Sequence, residues 1–272
     1  MRTGLIIGGH GFIGSHLKKY FTDLGDKVYT VGEMDQYSFA RSIKCDYVIN
    51  CGAKIHAPLP ELYKANVLDA VAYAKDFTES GRCKHYIHLG SSSEYGNQED
   101  LSYETDVCQP NTDYAITKNL ATRLILYNSP SSLAKVNIVR PFSIYGPNDR
   151  SSKFIPTIIK ALKEQSDIQI YPGGHDWLHV RDFCSLIEAL LKSNCDGEIF
   201  NACSQVCTVN EDVVNTLFDA VGVKTNKVLK YDTKYREYDR PFWMGSNEKA
   251  LKLLGWKPMI TLKEGLYDCY NQ

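Results

Sequence analysis

The chain has 272 residues, a formal net charge of −1 from 31 basic and 32 acidic residues, and 43% hydrophobic residues. That length suits one core domain with a smaller appended lobe, and the balanced charge, with no long basic run, argues against nucleic acid or an anionic membrane as partner. No apolar stretch reaches the roughly 18 residues of a membrane span, and nine cysteines without a CxxC pair read as free thiols in a reducing cytoplasm rather than as a disulfide framework or a metal site.

The elements alternate along the chain. Thr3-Gly4-Leu5-Ile6-Ile7 is apolar and partly β-branched, a short buried strand that begins too close to Met1 to leave room for a signal peptide. Further strands are expected at Lys27–Val31, Tyr47–Asn50, His85–Leu89, Val136–Arg140 and Glu198–Asn201. Helices are expected at Gly11–Phe21, Leu62–Glu79, Tyr114–Tyr127, Phe154–Lys163, Arg181–Leu191 and Asn210–Val221. Strand–helix alternation of this kind builds an α/β, doubly wound parallel sheet. Pro141 and Pro147 punctuate the point where the chain leaves that core. The expected division is a core of 1–145 and 176–202 and a lobe of 146–175 and 203–272. The tyrosine-rich Lys230–Arg240 stretch has no period and reads as an ordered loop at the mouth of a site.

Two local patterns carry chemistry. Between the first strand and first helix lies Gly8-Gly9-His10-Gly11-Phe12-Ile13-Gly14. It fits GxGxxG through Gly9, Gly11 and Gly14, or GxxGxxG through Gly8, Gly11 and Gly14. Either register makes a tight turn, lets backbone approach a pyrophosphate, and aims a helix amino terminus at negative charge. The second pattern is Tyr114-Ala115-Ile116-Thr117-Lys118, which puts a phenol and an ammonium one helical turn apart. Two unit charges about 4 Å apart interact by up to roughly 4 kcal/mol at an effective dielectric near 20. The lysine is therefore expected to draw the tyrosine pKa down toward neutrality and make it a usable general acid/base. Hydroxyls in Gly90-Ser91-Ser92-Ser93-Glu94-Tyr95-Gly96 follow an apolar strand, at the edge where open α/β sheets bind ligands.

Together with DYVINCGA at 46–53, Asn66 in KANVLDAV, RPFSIYGP at 140–147 and LLGWKP at 253–258, these motifs resemble the extended short-chain dehydrogenase/reductase family of nucleotide-sugar epimerases, dehydratases and reductases. The resemblance runs over nearly the whole chain. It implies a Rossmann domain with a smaller carboxyl-terminal substrate-binding lobe, and a catalytic set of Ser91, Tyr114 and Lys118. Ser91 aligns with the family's catalytic Ser/Thr when counted back from Tyr95-Gly96 without a gap; a one-residue gap promotes Ser92 instead. Hydride would pass between nicotinamide and a sugar carbon while Tyr114 handles the proton, Ser91 bonds the reacting oxygen, and Lys118 binds the nicotinamide ribose.

The resemblance implies a cofactor contact set of Gly8, Gly11, Phe12, Ile13, Gly14, Cys51, Gly52, Ala53, Asn66, Tyr114, Lys118 and Pro141. NAD and NADP both stay open. Glu33 could take the adenosine ribose in NAD-using fashion and Asp35 could meet the adenine. Gly32 could instead leave room for a 2′-phosphate, but Arg41 is the nearest arginine, so the lean is to NAD. For the substrate, a nucleoside diphosphate sugar, the resemblance points to Ser91, Ser92, Ser93, Glu94, Asn148, Lys153, Phe154, His175 and Arg240, with Arg240 suited to the diphosphate. The family's phosphate-binding arginine in Gly-x-x-x-Arg-Asp-(Phe/Trp) is replaced by His175 in Gly173-Gly174-His175-Asp176-Trp177.

Absences narrow the reaction. The adjacent Asp-Glu pair of the dehydratases becomes Ser92-Ser93, with Glu94 the only carboxylate a gapped register could offer. The cysteine and histidine that GDP-fucose synthases use for epimerisation become Ser93 and Lys153. Redox at C4 remains. GSSSEYG resembles the deoxymannose reductase motif, so reduction of a 4-keto-6-deoxy sugar nucleotide is preferred over 4-epimerisation through a transient ketone. A dinucleotide-binding sensor or scaffold without catalysis is the alternative from another class. The resemblance further implies a homodimer joined by a four-helix bundle of the Leu62–Glu79 and Tyr114–Tyr127 helices, although Leu120, Leu124 and Ile125 could equally face the chain's own sheet.

Overall fold

The protein is described here by a computed structural model covering residues 1–32, 42–223, 229–231 and 242–272. Six parallel strands form the central sheet: β1 (Thr3–Ile7), β2 (Lys27–Val31), β3 (Tyr47–Asn50), β4 (His85–Leu89), β5 (Lys135–Pro141) and β9 (Ile199–Ala202), in spatial order β2-β1-β3-β4-β5-β9. All six lie where the sequence predicts them, and the expected doubly wound parallel sheet is the fold observed. A parallel sheet covered by helices on both faces needs strands without polar alternation, and every side chain of β3 and β4 is buried. The two histidines of β4 are accommodated by partners: Asn137 Nδ2 lies 2.7 Å from His85 Nε2, and Lys118 Nζ lies 3.5 Å from His88 Nε2.

Helices α1 (Phe12–Asp23) and α6 (Val180–Lys192) cover one face, packing Leu17, Phe21, Phe183 and Ile187 on the sheet. On the other face Tyr73, Phe77 and Ile125 pack against Leu5, Val48 and Tyr86. They come from α3 (Ala70–Glu79) and α4 (Asp113–Asn128). Ile125 thus faces the chain's own sheet, while Leu120 and Leu124 are half-buried. The chain runs outward from β1 to β2 and then crosses to β3 on the other side, so the strand order reverses between β1 and β3. Such a reversal opens a crevice at the carboxyl ends of the strands.

The helix expected over Leu62–Glu79 is three pieces: α2 (Leu59–Tyr63), a π-helical turn over Lys64–Asp69, and α3. The turn surrounds Asn66, which is fully buried. Its Oδ1 accepts from Lys54 N at 2.8 Å, and its Nδ2 donates to Lys54 O at 2.9 Å and Thr117 Oγ1 at 3.1 Å. A widened turn is a local adjustment often found beside functional sites; here it brings a polar residue to bonds that a regular helix face would direct elsewhere.

The remaining elements build a second layer. Strands β6 (Ser143–Tyr145), β8 (Gly174–His179) and β10 (Cys207–Val209) form one sheet, and β7 (Ile168–Ile170) with β11 (Leu229–Tyr231) another. Helices α5 (Phe154–Lys163), α7 (Asn210–Val221) and α9 (Leu262–Tyr270) enclose a separate apolar cluster around Ile158, Leu162, Val214, Leu217 and Leu266. The division expected at 175/176 falls inside β8, and β6 pairs with β8 through Trp177, Leu178 and His179, on the core side of that division. The three-residue strands are too short to show a period in sequence. Helices α8 (Glu248–Leu254) and α9 are also unanticipated, although α9 opens with a readable capping box, Thr261 and Glu264. No helix among the described residues is long and apolar enough to cross a membrane.

Candidate active site

The glycine turn sits at the head of the crevice. Gly8 adopts φ +76°, and a Cβ there would meet Gly52 N at 2.8 Å, so the β1 turn and the loop after β3 approach backbone to backbone. At Gly14 a Cβ would lie 2.3 Å from Gly8 O, which lets α1 close on the turn. These two contacts fit the register Gly8, Gly11, Gly14. Gly11 is the N-cap of α1 and supplies no side chain, and no acidic residue lies in the first turn. The first N–H groups of α1, around Phe12, Ile13 and Gly14, thus lack side-chain acceptors and point where an anion is stabilised. Cys51, Gly52 and Ala53 line the facing loop, held by Cys51 N to Ile7 O at 2.9 Å and Gly52 N to Asn50 Oδ1 at 3.0 Å. This cradle, which any β-carbon would fill, fits the diphosphate of a dinucleotide. Pro141 ends β5 on the same sheet edge.

Beyond β2, a Cβ at Gly32 would stand 3.1 Å from the His10 ring, a neighbour that sequence reading missed because its spacing carries no signal. Glu33, Asp35 and Arg41 lie outside the described residues, as does Arg240.

Ser91, Tyr114 and Lys118, the expected catalytic set, come together where β4 meets α4. Ser91 is extended (φ −161°) and caps a short 3-10 turn, Ser92–Tyr95. Thr112 caps α4 by accepting from Ala115 N at 3.2 Å, placing Tyr114 in the first turn. The Ser91 hydroxyl stands close enough to the Tyr114 phenol to pull its pKa down. Lys118, one turn on, is 2% exposed, and its Nζ donates to Leu89 O at 2.5 Å. Burial lowers the Lys118 pKa to about 8, against the opposing pull of the Glu94 charge.

The expectation that Lys118 draws Tyr114 toward neutrality is corrected. Burial pushes the phenol up to about 12, the neighbouring Ser91 hydroxyl pulls it down, and the Glu94 charge adds to the rise. The ammonium is turned to Leu89 O at the end of β4, and desolvation dominates the phenol's shift.

Two further expectations are corrected. Glu94 is fully buried and unavailable to a substrate. Its Oε1 accepts from Ser91 N at 2.8 Å and Thr122 Oγ1 at 3.1 Å, and its Oε2 accepts from Arg140 Nε at 3.1 Å. Asn66 is likewise spent on Lys54 and Thr117, so it shapes the crevice wall instead of reaching a cofactor.

The serines separate by partner. Ser92 is buried and accepts from Trp243 Nε1 at 3.0 Å; Ser93 is half-buried and gives its N–H to Ser91 Oγ at 3.1 Å. Further along, Phe154 stacks on Trp177 at 6.1 Å, and His175 lies 5.3 Å from the same ring with Nδ1 3.3 Å from Ser143 Oγ. The structure therefore joins Phe154 and His175 through Trp177, whose indole N–H is buried without a partner among the described residues. Asn148 (φ 62°) and Lys153 are exposed. The motif containing Trp177 was legible in sequence; Trp243 had no signal there.

A family model described as the NAD dependent epimerase/dehydratase family matches residues 4–203. Among curated proteins, the low-salt glycan biosynthesis protein Agl12 of Haloferax volcanii is 22% identical, the match covering 98% of this chain and 97% of that protein. The GDP-6-deoxy-D-mannose reductase of Pseudomonas aeruginosa is also 22% identical, covering 96% and 93%. Among solved structures, MoeE5 in complex with UDP-glucose and NAD superposes with a TM-score of 0.88 at 22% identity, covering 99% of this chain and 97% of that one.

Proposed function

The chain belongs to the NAD dependent epimerase/dehydratase family, and from that premise we propose that it catalyses NAD(P)-dependent oxidoreduction at C4 of a nucleoside-diphosphate sugar, as a reductase of a 4-keto-6-deoxyhexose. The observation that carries this reading is the convergence of the Ser91 hydroxyl and the Tyr114 phenol beside buried Lys118, at the sheet edge that also holds the glycine cradle.

A nicotinamide held in the crevice would supply the hydride, or take it in the reverse direction. The chain's residues do the rest. The Gly8–Gly14 turn and the amino end of α1 hold the dinucleotide's diphosphate. Ser91 bonds the reacting sugar oxygen, and Tyr114, a protonated phenol at neutral pH, gives that oxygen its proton. Lys118, which bonds the Leu89 carbonyl, would hold the nicotinamide ribose. The solved complex with NAD, and the reductase among the curated relatives, support the cofactor and substrate classes.

Ser91 is favoured over Ser92 as the catalytic hydroxyl because Ser92 is occupied by Trp243. Reduction is favoured over dehydration because Glu94, the one carboxylate in that turn, is tied to Arg140 and Thr122. Phe154, Trp177 and His175 are proposed as the nucleotide-facing wall. A homodimer through the helices around Leu62–Glu79 and Tyr114–Tyr127 is supported by exposed Tyr63, Leu68 and Ile116 on those helices.

The test is Tyr114→Phe together with a panel of UDP-, GDP-, CDP- and dTDP-linked sugars. Turnover falls by about 10²–10⁴, while NADH or NADPH binding is retained. Unchanged turnover refutes the reading. Interconversion of C4 epimers without net NAD(P)H consumption replaces the reductase with the 4-epimerase.

A further inference from the structure

We propose that Glu94, backed by Arg140, is a positioning residue that clamps the Ser91 turn to the helix carrying Tyr114 and Lys118. The proposal rests on the reading of Ser91 and Tyr114 as the proton-transfer pair. One carboxylate joins three elements. Oε1 takes the Ser91 backbone N–H at 2.8 Å at the end of β4 and the Thr122 hydroxyl at 3.1 Å on α4, and Oε2 takes Arg140 Nε at 3.1 Å on β5. Thr122 lies one turn beyond Lys118, itself one turn beyond Tyr114, so the clamp grips the catalytic face of that helix.

The site is built for this carboxylate. A Cβ at Gly90 would fall 2.4 Å from Glu94 Oε1, so only glycine there lets the side chain fold back over the strand end. Ser91 Oγ and Glu94 complete a reciprocal capping box, which fixes the hydroxyl relative to its own backbone. Arg140 is 3% exposed, and its guanidinium lies 4.6 Å from the Tyr95 ring centroid and donates to Cys108 Sγ at 3.1 Å. The pair is thus held from behind as well. Fully buried ion pairs are a poor route to stability but a good route to a unique geometry. Proton transfer depends steeply on placement of the hydroxyl and the phenol. The negative charge also favours the protonated forms of Tyr114 and Lys118.

A double-mutant cycle tests the clamp, using NADPH and NADH with GDP-, UDP- and dTDP-linked 4-keto-6-deoxyhexoses. Glu94→Ala lowers kcat by about tenfold with KM for the dinucleotide within about twofold. In a Ser91→Ala background the same change has almost no further effect, because the clamp acts through Ser91. Equal losses in both backgrounds overturn the proposal. If Glu94→Ala unfolds, Thr122→Val, which leaves the ion pair intact, takes its place in the cycle under the same criterion. Amide hydrogen exchange gives an arm that needs no turnover: peptides spanning 90–96 and 112–122 exchange faster in the variant, and unchanged exchange there refutes the clamp. A wild type inactive on every sugar nucleotide defeats the functional reading alone.

Discussion

Lys118 carries a charge in a place that disfavours charge, and the consequence is a measurable pH dependence of stability. Its side chain is 2% exposed, and burial brings its pKa from 10.5 to about 8. Between those values the unfolded chain binds more protons than the folded one, so stability rises with pH through this window. Below about 8 the penalty for the buried ammonium is present in full. Integrating the difference in bound protons from pH 7 to pH 9, at about 1.36 kcal/mol per pKa unit, gives a gain of about 1.3 kcal/mol. For a chain of this size that corresponds to about 2 °C in Tm. Buried thiols such as Cys45 and Cys184, whose pKa values burial raises, bend the curve the other way at the alkaline end. Urea unfolding, followed by tryptophan fluorescence at pH 7 and pH 9 without dinucleotide, is therefore compared between wild type and Lys118→Met. The difference between the two proteins changes by about 1.3 kcal/mol across that interval, and the thiol contributions cancel. A difference that stays constant with pH would show that no buried ammonium titrates there, and the burial argument for Lys118 would be wrong.

At the cradle, Gly8→Ala forces a β-carbon into a left-handed conformation 2.8 Å from Gly52 N. It costs about 1–3 kcal/mol of stability, and NADH affinity, read from nucleotide fluorescence, falls sharply. Gly25→Ala, also at positive φ but with nothing within 4 Å, pays only backbone strain and leaves NADH binding intact; equal NADH affinity in the two variants counts against the cradle. On β4, burial lowers His85 from 6.5 to about 4, so the unfolded chain takes up a proton that the folded one refuses. Stability is lost as pH falls through that window, by about 2 kcal/mol between pH 7 and pH 5 from this residue. Thermal melts at those two values test it: His85→Phe flattens the acid side of the profile, and an unchanged slope contradicts the assignment.

Local pattern was enough for the strands of the central sheet, because a fully buried parallel strand is a short apolar run bounded by turn residues. It was enough, too, for the glycine turn and for the one-turn spacing of Tyr114 and Lys118, since both are properties of a few consecutive residues. What those residues touch was not legible. Lys118 could face the phenol or the end of β4, and only packing sends it to Leu89. Glu94 reads locally as a carboxylate at a ligand edge, yet Arg140, 46 positions away, and Thr122, 28 away, draw it inside. Asn66 reads as one residue of a regular helix until Lys54 and Thr117 claim its amide and the turn widens around it. Backbone conformation follows from short-range sterics and hydrophobic period, whereas the direction and charge state of a buried polar side chain follow from partners that long-range folding alone brings together.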